Sequence, residues 1–202
     1  MSLVLITGGA RSGKSGTAQR LALSRRVEGQ RVVVAVFGSA SDIEMADRIS
    51  RHRADRPVSI DTLEATSSNA WLAEVPAGAL LVVDCLGTCF GRALLEAWDE
   101  CSPPHDAMTD ATTLPDGFED AACSRTATVI AELLARDGDT IVVTNEVGDG
   151  LVPDYATGRF FRDELGRANG ILTDRADAAY LAVAGRLFDL AALPREITWP
   201  QD

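Results

Sequence analysis

Five stretches of the 202-residue chain are almost continuously apolar: LVLIT at 3–7, RVVVAVF at 31–37, ALLVVDC at 79–85, TIVVTN at 140–145 and AAYLAVAG at 178–185. Valine-rich runs without a regular polar alternate suit strands covered on both faces, as in a parallel sheet. Between them the period lengthens to that of helices, predicted over 14–26, 42–53, 66–74, 86–99, 119–137 and 157–175. Strand and helix in alternation predict a doubly wound α/β domain. Two shorter runs, VSIDTLE at 58–64 and RLFDL at 186–190, add further strands.

One segment has neither period. ECSPPHDAMTDATTLPDGFED, from Glu100 to Asp120, collects Pro, Asp, Thr and Gly and reads as an exposed loop of the kind insertions produce. No internal repeat or second boundary interrupts the rest, so residues 1–202 are expected to form a single domain with a tail over 191–202.

Composition narrows the choice of partner. Hydrophobic residues make up 46% and charged residues 24%, as in a globular protein rather than a disordered one. The formal net charge of -11 argues against nucleic acid, whose backbone needs a basic face. An anionic ligand must therefore meet a local cluster of positive charge. No run of about eighteen apolar residues is present to span a membrane, and MSLVLITGG is too short and lacks the basic start of a signal peptide. A cytoplasmic location is expected. Cys85, Cys89, Cys101 and Cys123 show neither a CxxC pair nor zinc-finger spacing, and are expected to be reduced, mostly buried thiols.

The first chemical motif follows the first strand. GGARSGKS, Gly8 to Ser15, matches GxxxxGK(S/T) with a strand before it and a helix after it. Backbone N–H groups from Gly8, Gly9, Ala10, Arg11, Ser12 and Gly13 can form a nest for phosphates, with the helix N-terminus aimed at the same point. Lys14 would reach the outer phosphates, and Ser15 would bind magnesium. Lys14 is also the only lysine among 19 basic residues, where a slim ammonium fits between phosphate oxygens and a wide guanidinium does not. Asp84 ends the run ALLVVD, where a Walker B carboxylate would hold the metal, although an aspartate there can also cap the next helix.

A second cluster lies in DIEMADRISRHRADRP, 42–57. On a helix, Met45, Ile49 and His52 fall at i, i+4 and i+7, which suits a packed histidine. Arg48, Arg51, Arg53 and Arg56 concentrate positive charge around it, which suits binding of phosphate oxygens and a neutral, nucleophilic imidazole. The residues alone leave both readings open. The other histidine, His105, sits in the irregular loop and is expected to face solvent.

Taken in order, GGARSGKS, DIEMADRISRHRADRP, VVDCL, VVTNEVGDGLVP and GRFFRDELGRANGILTDRADAAYLAVAG resemble the bifunctional adenosylcobinamide kinase / adenosylcobinamide-phosphate guanylyltransferase family of cobalamin biosynthesis. The likeness runs from Leu3 to about Leu190. It implies a RecA-like P-loop domain with a mostly parallel sheet and a terminal antiparallel element, assembled as a homotrimer. It also implies two reactions. ATP or GTP phosphorylates the aminopropanol hydroxyl of adenosylcobinamide, and GTP then transfers GMP to that phosphate through a GMP–histidine intermediate.

By this resemblance His52 is the nucleophile, Arg51 standing where some relatives carry a second histidine. Arg53, Arg56, Gly38 and Glu64 join the phosphate loop and Asp84 as nucleotide contacts, Lys14 is catalytic, and Ser15 and Asp84 hold Mg2+. Asn145 and Glu146 of TNEVG, at the end of a strand beside the phosphate loop, are placed to orient substrate. The chain departs from the family pattern at VFGS after the second strand and at CLGTCFGRA, where Gly87 and Arg92 replace the usual residues. Alternatives are an enzyme keeping guanylyl transfer alone, a P-loop kinase for another small hydroxyl compound, and an NTP-bound regulatory protein.

Overall fold

The structure, a computed structural model, describes residues 1–38, 60–102, 108 and 111–196. Seven strands form one sheet: β1 (Leu3–Gly8), β2 (Val32–Phe37), β3 (Ile60–Ala65), β4 (Leu80–Asp84), β5 (Thr140–Val143), β6 (Ala178–Val183) and β7 (Arg186–Asp189). Their order is β3-β2-β4-β5-β1-β6-β7. The first six are parallel and β7 returns antiparallel to β6. Helices α1 (Lys14–Arg25), α2 (Leu86–Cys101), α3 (Phe118–Ala135) and α4 (Ala156–Arg175) connect them. The predicted helix over 42–53 lies outside the described residues.

The apolar runs become the inner strands because helices cover both sides. On one face α1 places Ala18 and Ala22 against Ile6, Val32, Val34, Leu80, Val82, Ile141 and Val143. On the other, Phe90 of α2, Val129 and Leu133 of α3, and Leu165 and Leu172 of α4 cover Leu5, Ala35, Leu81, Val83 and Val142. Continuous valine and leucine thus satisfy both layers at once. At the β7 edge nothing of the kind holds, and all four residues of β7 are exposed.

Three expectations are corrected. The segment predicted as a helix over 66–74 forms bends followed by a single 3-10 turn, Trp71–Glu74. Its serines and asparagine bond locally instead of helically, the Ser67 hydroxyl accepting from the Asn69 amide. The Ser68 amide and hydroxyl both donate to Glu96 of α2, and the buried Trp71 indole donates to the Ser68 carbonyl and meets Phe37 edge-on at 5.0 Å. The segment read as an exposed loop is anchored where it is described. Helix α2 extends to Cys101, and Met108, Ala111 and Leu114 pack beside Trp98 and Phe118. The Met108 and Ala111 carbonyls accept hydrogen bonds from the first turn of α4, at Thr157 Oγ1 and the Ala156 amide. Finally, all four cysteines are free, but only Cys89 is buried and the other three are half-buried, because they sit at helix starts, ends or margins. Burial pushes the Cys89 thiol far up, with Glu96 adding to the effect, and keeps it neutral.

The amino-terminal edge of the sheet is stitched by one arginine. Arg136, just past α3, donates to the Asp139 carbonyl at 3.1 Å, to Thr140 Oγ1 at 3.0 Å and to the Ala79 carbonyl at 2.5 Å. It thereby ties the starts of β4 and β5 together. Burial lowers its pKa while Asp137 and Asp139 oppose the shift. Removing the guanidinium strands the Ala79 carbonyl and takes one hydrogen bond each from the Asp139 carbonyl, which keeps the Leu81 amide, and the Thr140 hydroxyl, which keeps the Gly138 carbonyl, so Arg136→Ala should lower unfolding free energy by about 2 kcal/mol. A urea midpoint equal to that of the wild type would contradict this role.

Candidate functional site: the phosphate loop and the carboxyl edge of the sheet

Residues 8–13 leave β1 and turn back into α1 through a loop that only certain backbones can follow. Gly8 has φ +148° and Gly13 φ +94°, and Arg11 also takes a positive φ of 56°. Gly8 is further constrained by space, since a Cβ there would lie 2.3 Å from the Ala182 carbonyl oxygen of β6. The turn between β6 and β7 braces the loop from the side, the Gly185 amide donating to the Ser12 carbonyl at 3.1 Å. Inside this curve Lys14 is 7% exposed, and its Nζ donates to the Gly8 carbonyl at 2.7 Å and the Gly9 carbonyl at 2.6 Å. The α1 N-terminus and this ammonium put positive charge at one point of an acidic protein. The Ser12 hydroxyl is buried there without a hydrogen-bond partner among the described residues, spare capacity beside the loop.

The next residue meets the neighbouring strand. Ser15 Oγ donates to Asp84 Oδ1 at 2.8 Å, joining the first turn of α1 to the end of β4. The alternative role of Asp84 as a helix cap is not the one seen, because Cys85 and Thr88 close the start of α2 between themselves. Thr88 Oγ1 donates to the Cys85 carbonyl at 2.8 Å and accepts from its amide. A hydroxyl and a carboxylate, both hard oxygen donors, suit Mg2+, which takes one or two protein oxygens and completes its shell with phosphates and water.

Asn145 and Glu146 follow β5, between β4 and β1 in the sheet. The Glu146 amide donates to the Gly8 carbonyl at 3.1 Å, and Asn145 Oδ1 accepts from Cys85 Sγ at 3.2 Å. Asn145 and Glu146 together thus bridge the Asp84 side and the phosphate loop side. Gly87 leaves the room for it, since a Cβ at that position would lie 3.1 Å from Asn145 Oδ1.

The remaining predicted residues fall elsewhere. Gly38 lies just past β2, and Glu64 is exposed on β3, paired with Val36. In the sheet β2 is three steps and β3 four steps from β1, so Gly38 and Glu64 are about 14 and about 19 Å across from the phosphate loop at about 4.8 Å per strand. His52, Arg53 and Arg56 lie outside the described residues, in the stretch between β2 and β3, as do Arg48 and Arg51, and His105, after α2, is outside them too. A separate cavity of about 410 Å3, lined by Phe90, Thr126, Ile130, Glu164 and Ala168 among others, holds none of the predicted residues.

Four contributors escaped the sequence reading: Thr144, Asn169, Cys85 and the β6–β7 turn. Only Asn169 left a signal, a polar residue on the apolar stripe of Leu165, Ala168 and Leu172.

The fold and this site define an α/β nucleotide-binding protein of the P-loop class. A type III secretion system ATPase from pathogenic bacteria shares the fold, with a TM-score of 0.50 and 12% identity over 89% of this chain and 50% of that one. Within the class, residues 4–190 match the cobinamide kinase / cobinamide phosphate guanyltransferase family, and the chain belongs to it. It is 31% identical to the bifunctional adenosylcobalamin biosynthesis protein CobU of Escherichia coli, over 91% of this chain and 96% of that protein. It is 35% identical to the bifunctional adenosylcobalamin biosynthesis protein CobP of Pseudomonas aeruginosa, over 94% and 98%.

The two loop glycines should respond differently to substitution. Gly8→Ala meets a backbone oxygen at 2.3 Å in a positive-φ conformation, so thermal denaturation should show a loss of about 2 kcal/mol or more. Gly9→Ala finds nothing within 4 Å, and its stability should stay within about 0.5 kcal/mol of the wild type. Equal losses at both positions would contradict the contact with β6.

Proposed function

We propose that this chain catalyses both reactions of its family: NTP-dependent phosphorylation of adenosylcobinamide, then guanylylation of adenosylcobinamide phosphate to adenosylcobinamide-GDP. The observation that carries the reading is the family match over residues 4–190 in a chain that also builds Lys14, Ser15 and Asp84 into one phosphate-loop site.

In the first reaction the aminopropanol hydroxyl attacks the γ-phosphate of ATP or GTP, and the bond to the β-phosphate oxygen breaks. Lys14 and the backbone amides of residues 8–13 hold the phosphate oxygens as charge spreads over them. Ser15 and Asp84 would hold Mg2+, which neutralises phosphate charge when bound. Asn145 and Glu146, fastened to the loop through the Gly8 carbonyl, orient the acceptor.

In the second reaction a His52 ring nitrogen attacks the α-phosphorus of GTP and pyrophosphate leaves. A phosphate oxygen of adenosylcobinamide phosphate then displaces the histidine, breaking the P–N bond. A phosphoramidate keeps the transfer potential while the acceptor binds. Arg53 and Arg56 offset phosphate charge, with Gly38 and Glu64 beside the guanine nucleotide. The separation between the β3–β2 end of the sheet and the phosphate loop supports two nucleotide contacts instead of one. The reading takes the chain as one domain, working as a homotrimer in the cytoplasm. Among the described residues no helix is long and apolar enough to cross a membrane.

Two measurements test it. With magnesium and GTP labelled on the α-phosphate, the denatured wild type should retain acid-labile, alkali-stable label and His52→Ala should retain none. A wild type without label rules out the guanylyl transfer. For the kinase, Lys14→Ala should reduce phosphate transfer to adenosylcobinamide by about a hundredfold or more. A rate equal to that of the wild type would rule out the phosphate-loop assignment.

A further inference from the structure

We propose that Asn169 is a positioning residue, which fixes Asn145 and Glu146 against the phosphate loop and so sets the rate of phosphoryl transfer from a helix that touches no phosphate. The inference rests on the reading that Lys14 serves the phosphates and that Asn145 and Glu146 orient the acceptor.

Asn169 lies in the middle of α4, 7% exposed, among Leu165, Ala168 and Leu172. An amide on such a stripe costs free energy unless both its ends are satisfied. Here both ends are used on consecutive residues of one loop. Nδ2 donates to the Asn145 carbonyl at 3.0 Å, and Oδ1 accepts from Thr144 Oγ1 at 2.7 Å. Thr144 is fully buried, and its amide carries the β1 ladder one step past β5 by donating to the Ile6 carbonyl. Two residues on, the Glu146 amide keeps the same spacing on β1 by donating to the Gly8 carbonyl, whereas on the other side β4 has ended at Asp84, opposite Val143. The Asn145 carbonyl leaves the ladder there, and Asn169 takes the place of a strand partner for it.

The peptide held in this way ends at the Glu146 amide, which donates to the Gly8 carbonyl, the same oxygen that accepts from Lys14 Nζ. On its other side the Asn145 side chain accepts from Cys85, the neighbour of Asp84, which in turn accepts from Ser15. Fixing the Asn145 carbonyl therefore fixes a side chain and an amide that face opposite halves of the site. A primary amide offers a donor and an acceptor on one short planar group without having to titrate. Aspartate keeps the acceptor toward Thr144 but turns an oxygen on the Asn145 carbonyl, and leucine keeps neither.

Asn169→Asp, Asn145→Ala and the double variant should be compared with the wild-type enzyme. In Asn169→Asp, kcat for phosphoryl transfer should fall tenfold or more while the KM for NTP changes less than threefold. The double variant should lose less than the product of the two single losses, because Asn145→Ala removes one of the two groups that Asn169 holds and leaves Glu146. Hydrogen exchange at the Glu146 amide should rise about tenfold, with the exchange of β1, β4 and β5 unchanged. A folded Asn169→Asp with wild-type kcat and wild-type protection at Glu146, or losses that multiply in the double variant, would overturn the proposal. If Asn169→Asp does not fold, Thr144→Val removes the hydroxyl that orients the amide and should show the same pattern, with Thr144→Ser restoring it; Thr144→Val with unchanged protection would overturn it equally. A wild type that transfers no phosphate refutes the functional reading instead, and the exchange measurement still decides the role of Asn169.

Discussion

The carbonyl oxygen of Gly8 accepts from the Lys14 ammonium and from the Glu146 amide, and the site is arranged around that shared acceptor. The oxygen can serve both because the chain at Gly8 is pressed against β6, where the Ala182 carbonyl leaves no space for a Cβ. A side chain at this position would push the loop off the sheet and part the two donors. The constraint is thus one of volume first and hydrogen bonding second. It links β1, β5, β6 and α1 at one atom, and it keeps a charged ammonium buried with its hydrogen bonds made.

Parallel pairing explains why the candidate chemistry gathers on one edge. In an open parallel sheet every strand ends on the same side, so Gly8, Gly38, Glu64, Asp84 and Asn145 all emerge along one line although they are scattered through the first 145 residues. Strand order then divides that line. β1, β5 and β4 bring Lys14, Asn145 and Asp84 together, while β2 and β3 carry Gly38 and Glu64 to the far end. On the proposed reading, a single sheet in this way presents two groups of residues to two stages of chemistry.

The opposite edge and the helical faces carry stability rather than chemistry. Arg136 and Asp139 gather the starts of the strands. Asp139 accepts from the Ser2 amide at 2.8 Å and pairs with Arg25 at 3.2 Å, closing α1 back on the sheet. The aromatic group of Trp98, Phe118 and Phe160 joins α2, α3 and α4, with ring centroids 5.7 and 5.4 Å apart. Met108, Ala111 and Leu114 complete that group, so an irregular sequence contributes to packing where its few apolar side chains are held.

The strands and long helices were legible because each apolar run answers to a local period: continuous where two helical layers cover it, and helical where one side faces the core. The phosphate loop was legible for a related reason, since glycine spacing records a backbone path and Lys14 follows it at a fixed interval. The helix expected over 66–74 was misread because the choice between helix and turn was made by Glu96 and Phe37, both remote in sequence. The same holds for Cys85, Gly87, Thr144 and Asn169. Their side-chain hydrogen bonds and contacts join residues up to 60 positions apart, as between Cys85 and Asn145, and no local pattern encodes such a partner. By itself the sequence determined the class of fold, the phosphate loop and the residues able to do chemistry. Only the tertiary structure decided which of them meet, because strand order and the close approach of backbones at Gly8 and Gly87 are properties of the packed sheet and of no single segment.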